Sequence, residues 1–462
     1  MLLTNLAPLR LRLKRELPPS VPVPAIVQTL LCREWFIPYV ERCRERYGSR
    51  FTVYPVDMPP LVFLGDPGDI HAVIAAPPTT LQPGAGGSLV APLIGESSFM
   101  LCDGERHKYG RNTVLPAFHR KAVQRHTEMV VDTTRREVAS WPRNVPLALH
   151  PRLHTLMLKV ILKTIFLDED HCQDMLHRRL LGSLAVTEGA LLQAPALRHL
   201  PGWGASWRGF LKRRARADEL LLEIIRTRRA RLGRGDLLDM LIAARNPDGS
   251  AMSDGQVRDN LMSMILAGHE TTTAELAWAF QLLAHNERAQ NRLLAEIDAG
   301  AGDRYLTATL NETLRHRPAF PFLIPRAVVA PIEIGGCTYR PPARLLGCTY
   351  LMHHDPSLYP QPQAFRPERF LEETPHSGIW LPWGAGTKSC VGRHFALLEM
   401  QTVLREVLSL LRVLPACSRI ERARWRSAVL VPHAGSTVVL RERQPPRRRG
   451  AKRRGREVAG VA

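Results

Sequence analysis

The chain is poor in acid for its size: 43 Asp and Glu stand against 63 Lys and Arg in 462 residues, a formal charge of +20. Such a balance suits an acidic protein partner, because complementary fields speed encounter and fade with salt. Long apolar runs are missing as well. The N-terminus meets Arg10, Arg12, Lys14 and Arg15 before any run nears the ~18–20 apolar residues that span a bilayer. Neither an anchor nor a secretory signal is expected, and Leu2, Leu3, Leu6, Leu9 and Leu13 offer only weak amphipathic contact with a membrane. The eight cysteines form no Cys-x-x-Cys pair and no regular framework, which excludes a disulfide scaffold and fits a reducing cytoplasm. There is no internal repeat. A zinc-protease helix is excluded too, since His269-Glu270 is followed by Thr273 where the second histidine should stand.

What is present is mostly helical periodicity, with strands expected around 51–64, 332–339 and 429–440. Ser253 with Gln256 fits a capping box, and Val257, Leu261, Met264, Ile265, Leu276, Leu282 and Leu283 carry an apolar stripe to about residue 285. At ~1.5 Å per residue this helix is ~48 Å long, enough to cross a whole domain. Its middle, Ala267-Gly268-His269-Glu270-Thr271-Thr272, is poorly chosen for a helix. Gly268 costs roughly 1 kcal/mol relative to Ala, and β-branched threonines follow. Thr271 can bond back to the Ala267 carbonyl and open a groove, where an acid beside an alcohol can relay protons.

The most informative stretch is Trp383-Gly384-Ala385-Gly386-Thr387-Lys388-Ser389-Cys390-Val391-Gly392, which delivers one thiol to the start of an apolar helix. A thiol ligates metal as its thiolate, which a helix N-terminus and nearby positive charge favour. The glycines let the backbone turn tightly and approach a flat macrocycle. Two further segments are ordinary alone. Glu312 and Arg315 share a helix face at i, i+3, with the run Phe365-Arg366-Pro367-Glu368-Arg369-Phe370 offering a second arginine that can complete a buried network. His107 and Arg111 are i, i+4 neighbours, spaced to reach one anionic group.

In this order the segments resemble the cytochrome P-450 family of haem-thiolate monooxygenases, from about residue 18 to 440, with 351–370 similar to its soluble bacterial branch. The resemblance implies a mainly α fold with a small β region: one large haem domain (18–440) crossed by the long helix, after an N-terminal extension (1–17). A basic tail (441–462) follows, read as disordered and solvated because its Pro, Gly and Arg content cannot bury a core; nucleic acid is not expected as its partner. The resemblance further implies haem b (iron protoporphyrin IX) ligated by Cys390, with His107, Arg111, Arg326, Trp383 and Lys388 around it. Glu270 and Thr271 become the acid–alcohol pair, and Glu312, Arg315 and Arg369 a structural network. Phe99, Met100, Met264, Ala267, Gly268, Phe320, Phe322, Leu323 and Ile324 become the substrate lining.

The implied activity is O2-dependent hydroxylation or epoxidation of a lipophilic small molecule of terpenoid, steroid, fatty acid or polyketide type, in the cytoplasm and in secondary metabolism. No flavin or reductase segment follows the haem region, so electrons from NAD(P)H are expected through a separate ferredoxin or flavodoxin and its reductase. Trp383 replaces the family's usual Phe, Lys388 its Arg, and His107 a common Trp; Lys388 keeps charge but loses the bidentate fork. The alternatives left open are a haem-thiolate isomerase, dehydratase or peroxygenase, and a non-catalytic haem sensor.

Overall fold

The computed structural model describes residues 16–166, 175–178, 180, 198, 203–231, 233–372 and 378–443. Most of the extension (1–15) and of the tail (444–462) lies outside the described residues. Five helices position the site: α1 (Gly104–Val114), α2 (Leu149–Ile165), α3 (Asp254–Ala284), α4 (Arg304–His316) and α5 (Arg393–Leu410).

Helix α3 starts at the expected capping box. The Ser253 hydroxyl accepts from the Gln256 amide at 3.2 Å, and Gln256 Oε1 accepts from the Ser253 amide at 2.8 Å. The helix then runs unbroken for 31 residues, about 46 Å. It is buried on nearly every side because α2, α4 and α5 pack around it. Gly268 does not interrupt it. A Cβ there would stand 2.9 Å from Ile161 Cδ1 of α2, so the glycine serves the close approach of two helices.

The β structure is small; strands occupy the expected stretches 51–64, 332–339 and 429–440, and further short strands lie at 81–82, 146–148, 326–328, 344–347, 411–415 and 423–426. One sheet has β1 (Arg50–Val53), β2 (Leu61–Leu64), β3 (Leu81–Gln82), β4 (Arg326–Val328) and β5 (Arg344–Gly347) in the order β1-β2-β5-β4-β3. Only β2 and β5 run parallel, with Leu61 opposite Arg344. Hairpins form at 332–339 and 423–432, and the strand Thr437–Glu442 pairs with both Pro146–Ala148 and Leu411–Pro415. The second hairpin is pinned to α3 by Trp278, whose indole N–H donates to the Leu430 carbonyl at 3.0 Å.

Glu312 of α4 is fully buried and ties the chain before the cysteine loop to the helical body. Arg315 clamps it with two hydrogen bonds of 2.8 Å, and Arg369 Nε approaches it at 3.0 Å. The Arg366 amide donates to it at 2.8 Å. The outer guanidinium nitrogens reach the carbonyls of His353 and Pro360, so the charges are paired and their remaining donors are satisfied. Replacing Glu312 by Gln leaves two buried guanidiniums with no counter-charge. The Glu312→Gln chain is expected to lose about 3–5 kcal/mol by chemical denaturation; a loss below about 1 kcal/mol, the worth of a surface pair, would contradict this.

Candidate functional site

The cysteine loop is held by backbone geometry and by one arginine. Gly384 and Gly386 adopt φ of 68° and 63°, the left-handed region that favours glycine, and the Cys390 amide closes the turn on the Trp383 carbonyl at 2.8 Å. Arg111 of α1 donates to the Ser389 carbonyl at 2.5 Å and to its hydroxyl at 3.0 Å. Helix α5 begins at Arg393, so Cys390 sits just ahead of its N-terminus. Burial raises the thiol's pKa, while the Gly392 amide, Arg111 and Arg393 act to lower it. The cysteine exposes surface, and it does so as part of the lining of a cleft.

This cleft has a volume of about 160 Å³. Cys390, Trp383, Lys388, Arg111 and His107 line it together with Ala267, Gly268 and Thr271 of α3. Of the expected apolar lining, Phe99, Met100, Met264 and Ile324 are here too. Phe320 and Phe322 instead line an adjoining apolar cleft, which shares Met100 and Ile324 with the first. Leu323 corrects the expectation. It lines neither cleft and packs with Ile70, Met352 and Leu381, because alternate residues of an extended segment point to opposite sides.

The charges around the cleft are out of balance. Burial, then Lys388, Arg111 and Arg326, push His107 down to about 4. Burial likewise lowers Lys388 to about 8, with Asp103 acting against it. Arg326, on β4, is buried with an Nε that has no partner among the described residues, and it does not line the cleft itself. Lys388 departs from the expected arrangement. Its ammonium donates to the carbonyls of Met100 at 3.0 Å and Cys102 at 2.6 Å, as a compact point charge without a fork can. Gly392 lines the cleft with no atom within 4 Å of where its Cβ would stand, so no protein neighbour there calls for glycine. Surplus positive charge, a thiol and bare backbone on one wall suit a flat anionic group carrying a metal.

On α3, the Thr271 hydroxyl donates back to the Ala267 carbonyl at 2.7 Å and lies at the cleft. Glu270 does not line the cleft. Its carboxylate is buried on the α2 side, with Oε1 3.1 Å from His154 Nε2 and 3.5 Å from His269 Nε2. One helical step separates the two neighbours, about 100°, which turns them to different faces.

Comparison with known proteins agrees with this geometry. The cytochrome P450 family model matches residues 17–436, and the chain belongs to the cytochrome P-450 family, whose members are generally haem-thiolate monooxygenases. Among curated relatives, a Mycobacterium tuberculosis protein named "Putative cytochrome P450 135B1" is 32% identical over 92% of this chain and 91% of its own. Another from that organism, "Putative cytochrome P450 137", is 33% identical with the same coverage. Among solved structures, the haem domain of cytochrome P450DA superposes with a TM-score of 0.77 at 21% identity, covering 93% of this chain and 98% of that one. Retinoic acid-bound cyanobacterial CYP120A1 gives 0.78 at 21%, covering 92% and 99%. No helix among the described residues is long and apolar enough to cross a membrane.

Sequence reasoning missed three buried acids and bases. His154 stands on the apolar stripe of α2, and Glu399 of α5 lines the cleft, its carboxyl pushed well above the ordinary range by burial and accepting from Thr272 at 3.2 Å. Glu275 accepts from the Ala319 amide at 2.6 Å, and burial lifts it from 4.5 to about 8. The available signal was a polar residue at a core position of an otherwise apolar helix. Between pH 4.5 and about 8 the folded chain holds a proton on Glu275 that the unfolded chain releases, so stability falls as pH rises through that window. Glu275→Gln keeps the acceptor and removes the titration. Its melting temperature is expected to gain on wild type steadily from pH 5 to pH 8; a constant difference would contradict the assignment.

Proposed function

We propose that this chain is a haem-thiolate monooxygenase that hydroxylates or epoxidises a lipophilic small molecule, with Cys390 as the iron ligand. The observation that carries the reading is the single cleft onto which Cys390, the cationic side chains and Thr271 all open. Haem, when bound, supplies the redox-active iron at which dioxygen is activated, and a thiolate ligand favours O–O cleavage. Arg111, with Arg326 behind it, offsets the charge of its carboxylates, and the uncharged His107 offers them a ring N–H. Trp383 shields the sulfur.

The other wall handles protons and substrate. The Thr271 hydroxyl, held on the Ala267 carbonyl, presents its oxygen to the cleft, and Glu270 joins a proton path only when its carboxylate turns from His154 toward that side of α3. Phe99, Met100, Met264 and Ile324 give an apolar surface that excludes water and holds a lipophilic substrate. The adjoining cleft extends it with Phe36, Phe63, Phe322 and Trp425. The retinoic acid in the cyanobacterial structure supports the same broad ligand class. Electrons come from NAD(P)H through a ferredoxin or flavodoxin and its reductase, drawn to a basic surface. Residues 18–440 form the working domain, in the cytoplasm, and the substrate belongs to secondary metabolism.

A screen of lipophilic ligands against the haem absorption spectrum, followed by turnover in isotopically labelled dioxygen with a surrogate ferredoxin system, tests this. One labelled oxygen atom should enter the product. Thr271→Ala should leave the haem spectrum intact, cut product per NAD(P)H by about tenfold or more and divert the reducing equivalents to hydrogen peroxide. Unchanged coupling would reject the proton role of Thr271.

A further inference from the structure

Helices α2 and α3 bring three metal-binding side chains to one point outside the cleft. His154 Nε2 lies 3.2 Å from His269 Nε2 and 3.1 Å from Glu270 Oε1, and His269 Nε2 lies 3.5 Å from the same oxygen. All three residues are buried, at 4%, 0% and 4% exposure. The geometry points to a binding site for one divalent cation of the zinc class, held by His154 Nε2, His269 Nε2 and Glu270 Oε1.

Proton counting is the first argument. His269 Nδ1 lies 2.6 Å from the Ile265 carbonyl, a contact only an N–H can make, so in the neutral ring Nε2 carries a lone pair. That lone pair faces His154 Nε2 and a carboxylate oxygen. The neutral triangle then holds at most one proton, on His154 Nε2, for its three converging polar atoms. Glu270 Oε2 is also buried with no partner among the described residues. A cation at the centre removes the conflict.

The distances supply the second. Zinc–nitrogen and zinc–oxygen bonds of about 2.0–2.2 Å at tetrahedral angles put neighbouring ligand atoms about 3.3–3.5 Å apart. The sides of the triangle, 3.1, 3.2 and 3.5 Å, lie close to that edge. The bond from His269 Nδ1 to a backbone carbonyl is also the outer contact that orients ligating histidines. Three protein ligands leave a fourth tetrahedral position open for water or another donor. His150, one turn before His154 on α2, has both ring nitrogens buried and unpartnered among the described residues, a further polar group beside the site.

An ion bound here holds the Glu270 carboxylate away from Thr271. Resting on the proposed monooxygenase reading, zinc therefore acts as an inhibitor of coupling, whereas binding itself does not depend on that reading. The test uses the full-length haem-loaded protein, with zinc supplied in the growth medium and again after purification because the site is buried, then gel filtration and elemental analysis. Wild type should retain one zinc per chain. His154→Gln and His269→Gln should each retain less than a tenth of that while keeping the haem spectrum and melting temperature of wild type without zinc. Wild type retaining no zinc, or both variants retaining as much as wild type, would overturn the site; a protonated histidine would then be the cation between the three groups. In turnover, zinc should raise peroxide release from wild type and leave His154→Gln unaffected. Retained zinc with unaltered peroxide release would keep the site and reject the proton role given to Glu270.

Discussion

The unneutralised positive charge beside Cys390 is the constraint on which the site depends. Arg111 from α1, Arg326 from β4 and Lys388 from the loop come from three separate parts of the chain, and burial with the same field keeps His107 of α1 uncharged. Gathering them in a protein interior costs desolvation and mutual repulsion, visible in the lowered pKa values of His107 and Lys388. Asp103 offsets part of it. Such an arrangement persists because the rest of the fold determines it, and it has a clear use only when an anionic group enters the cleft.

The scaffold explains how that charge is held next to the thiol. Arg111 is both a member of the cationic group and the residue that fastens the Ser389 backbone, so the position of α1 and the aim of the cysteine are coupled. The buried Glu312–Arg315–Arg369 network anchors the segment leading toward the loop. Helix α3 provides the facing surface, and α2 packs on it with Ile161 against Gly268 and His154 against Glu270. A substitution at Gly268 would thus act on two places at once, the cleft on one side of α3 and the histidine cluster on the other.

Much of this was legible in the sequence, and what escaped has physical reasons. The Ser253 capping box, the long helix, the glycine-broken loop and the Thr271 back-bond are local, set by residues within four positions of each other, and local patterns survive in sequence. The pairing of Glu312 with Arg369 was reachable through the family resemblance, since the residues alone left Arg366 and Arg369 both open. The orientation of Glu270 was not, since it depends on a histidine 116 residues away on another helix. Leu323 was misplaced because a run of apolar residues does not say which of them face a cavity. Lys388 turned to backbone carbonyls whose location only the folded chain reveals.

The sulfur of Cys390 is where the chemistry is decided, and its spectroscopy addresses this directly. The purified haem-loaded chain, reduced under carbon monoxide, should show the red-shifted absorption band of thiolate-ligated haem, and Cys390→Ser should abolish that band. A wild-type spectrum without the shifted band, or an unchanged band in the serine variant, would contradict ligation by Cys390 and with it the assignment of the cleft.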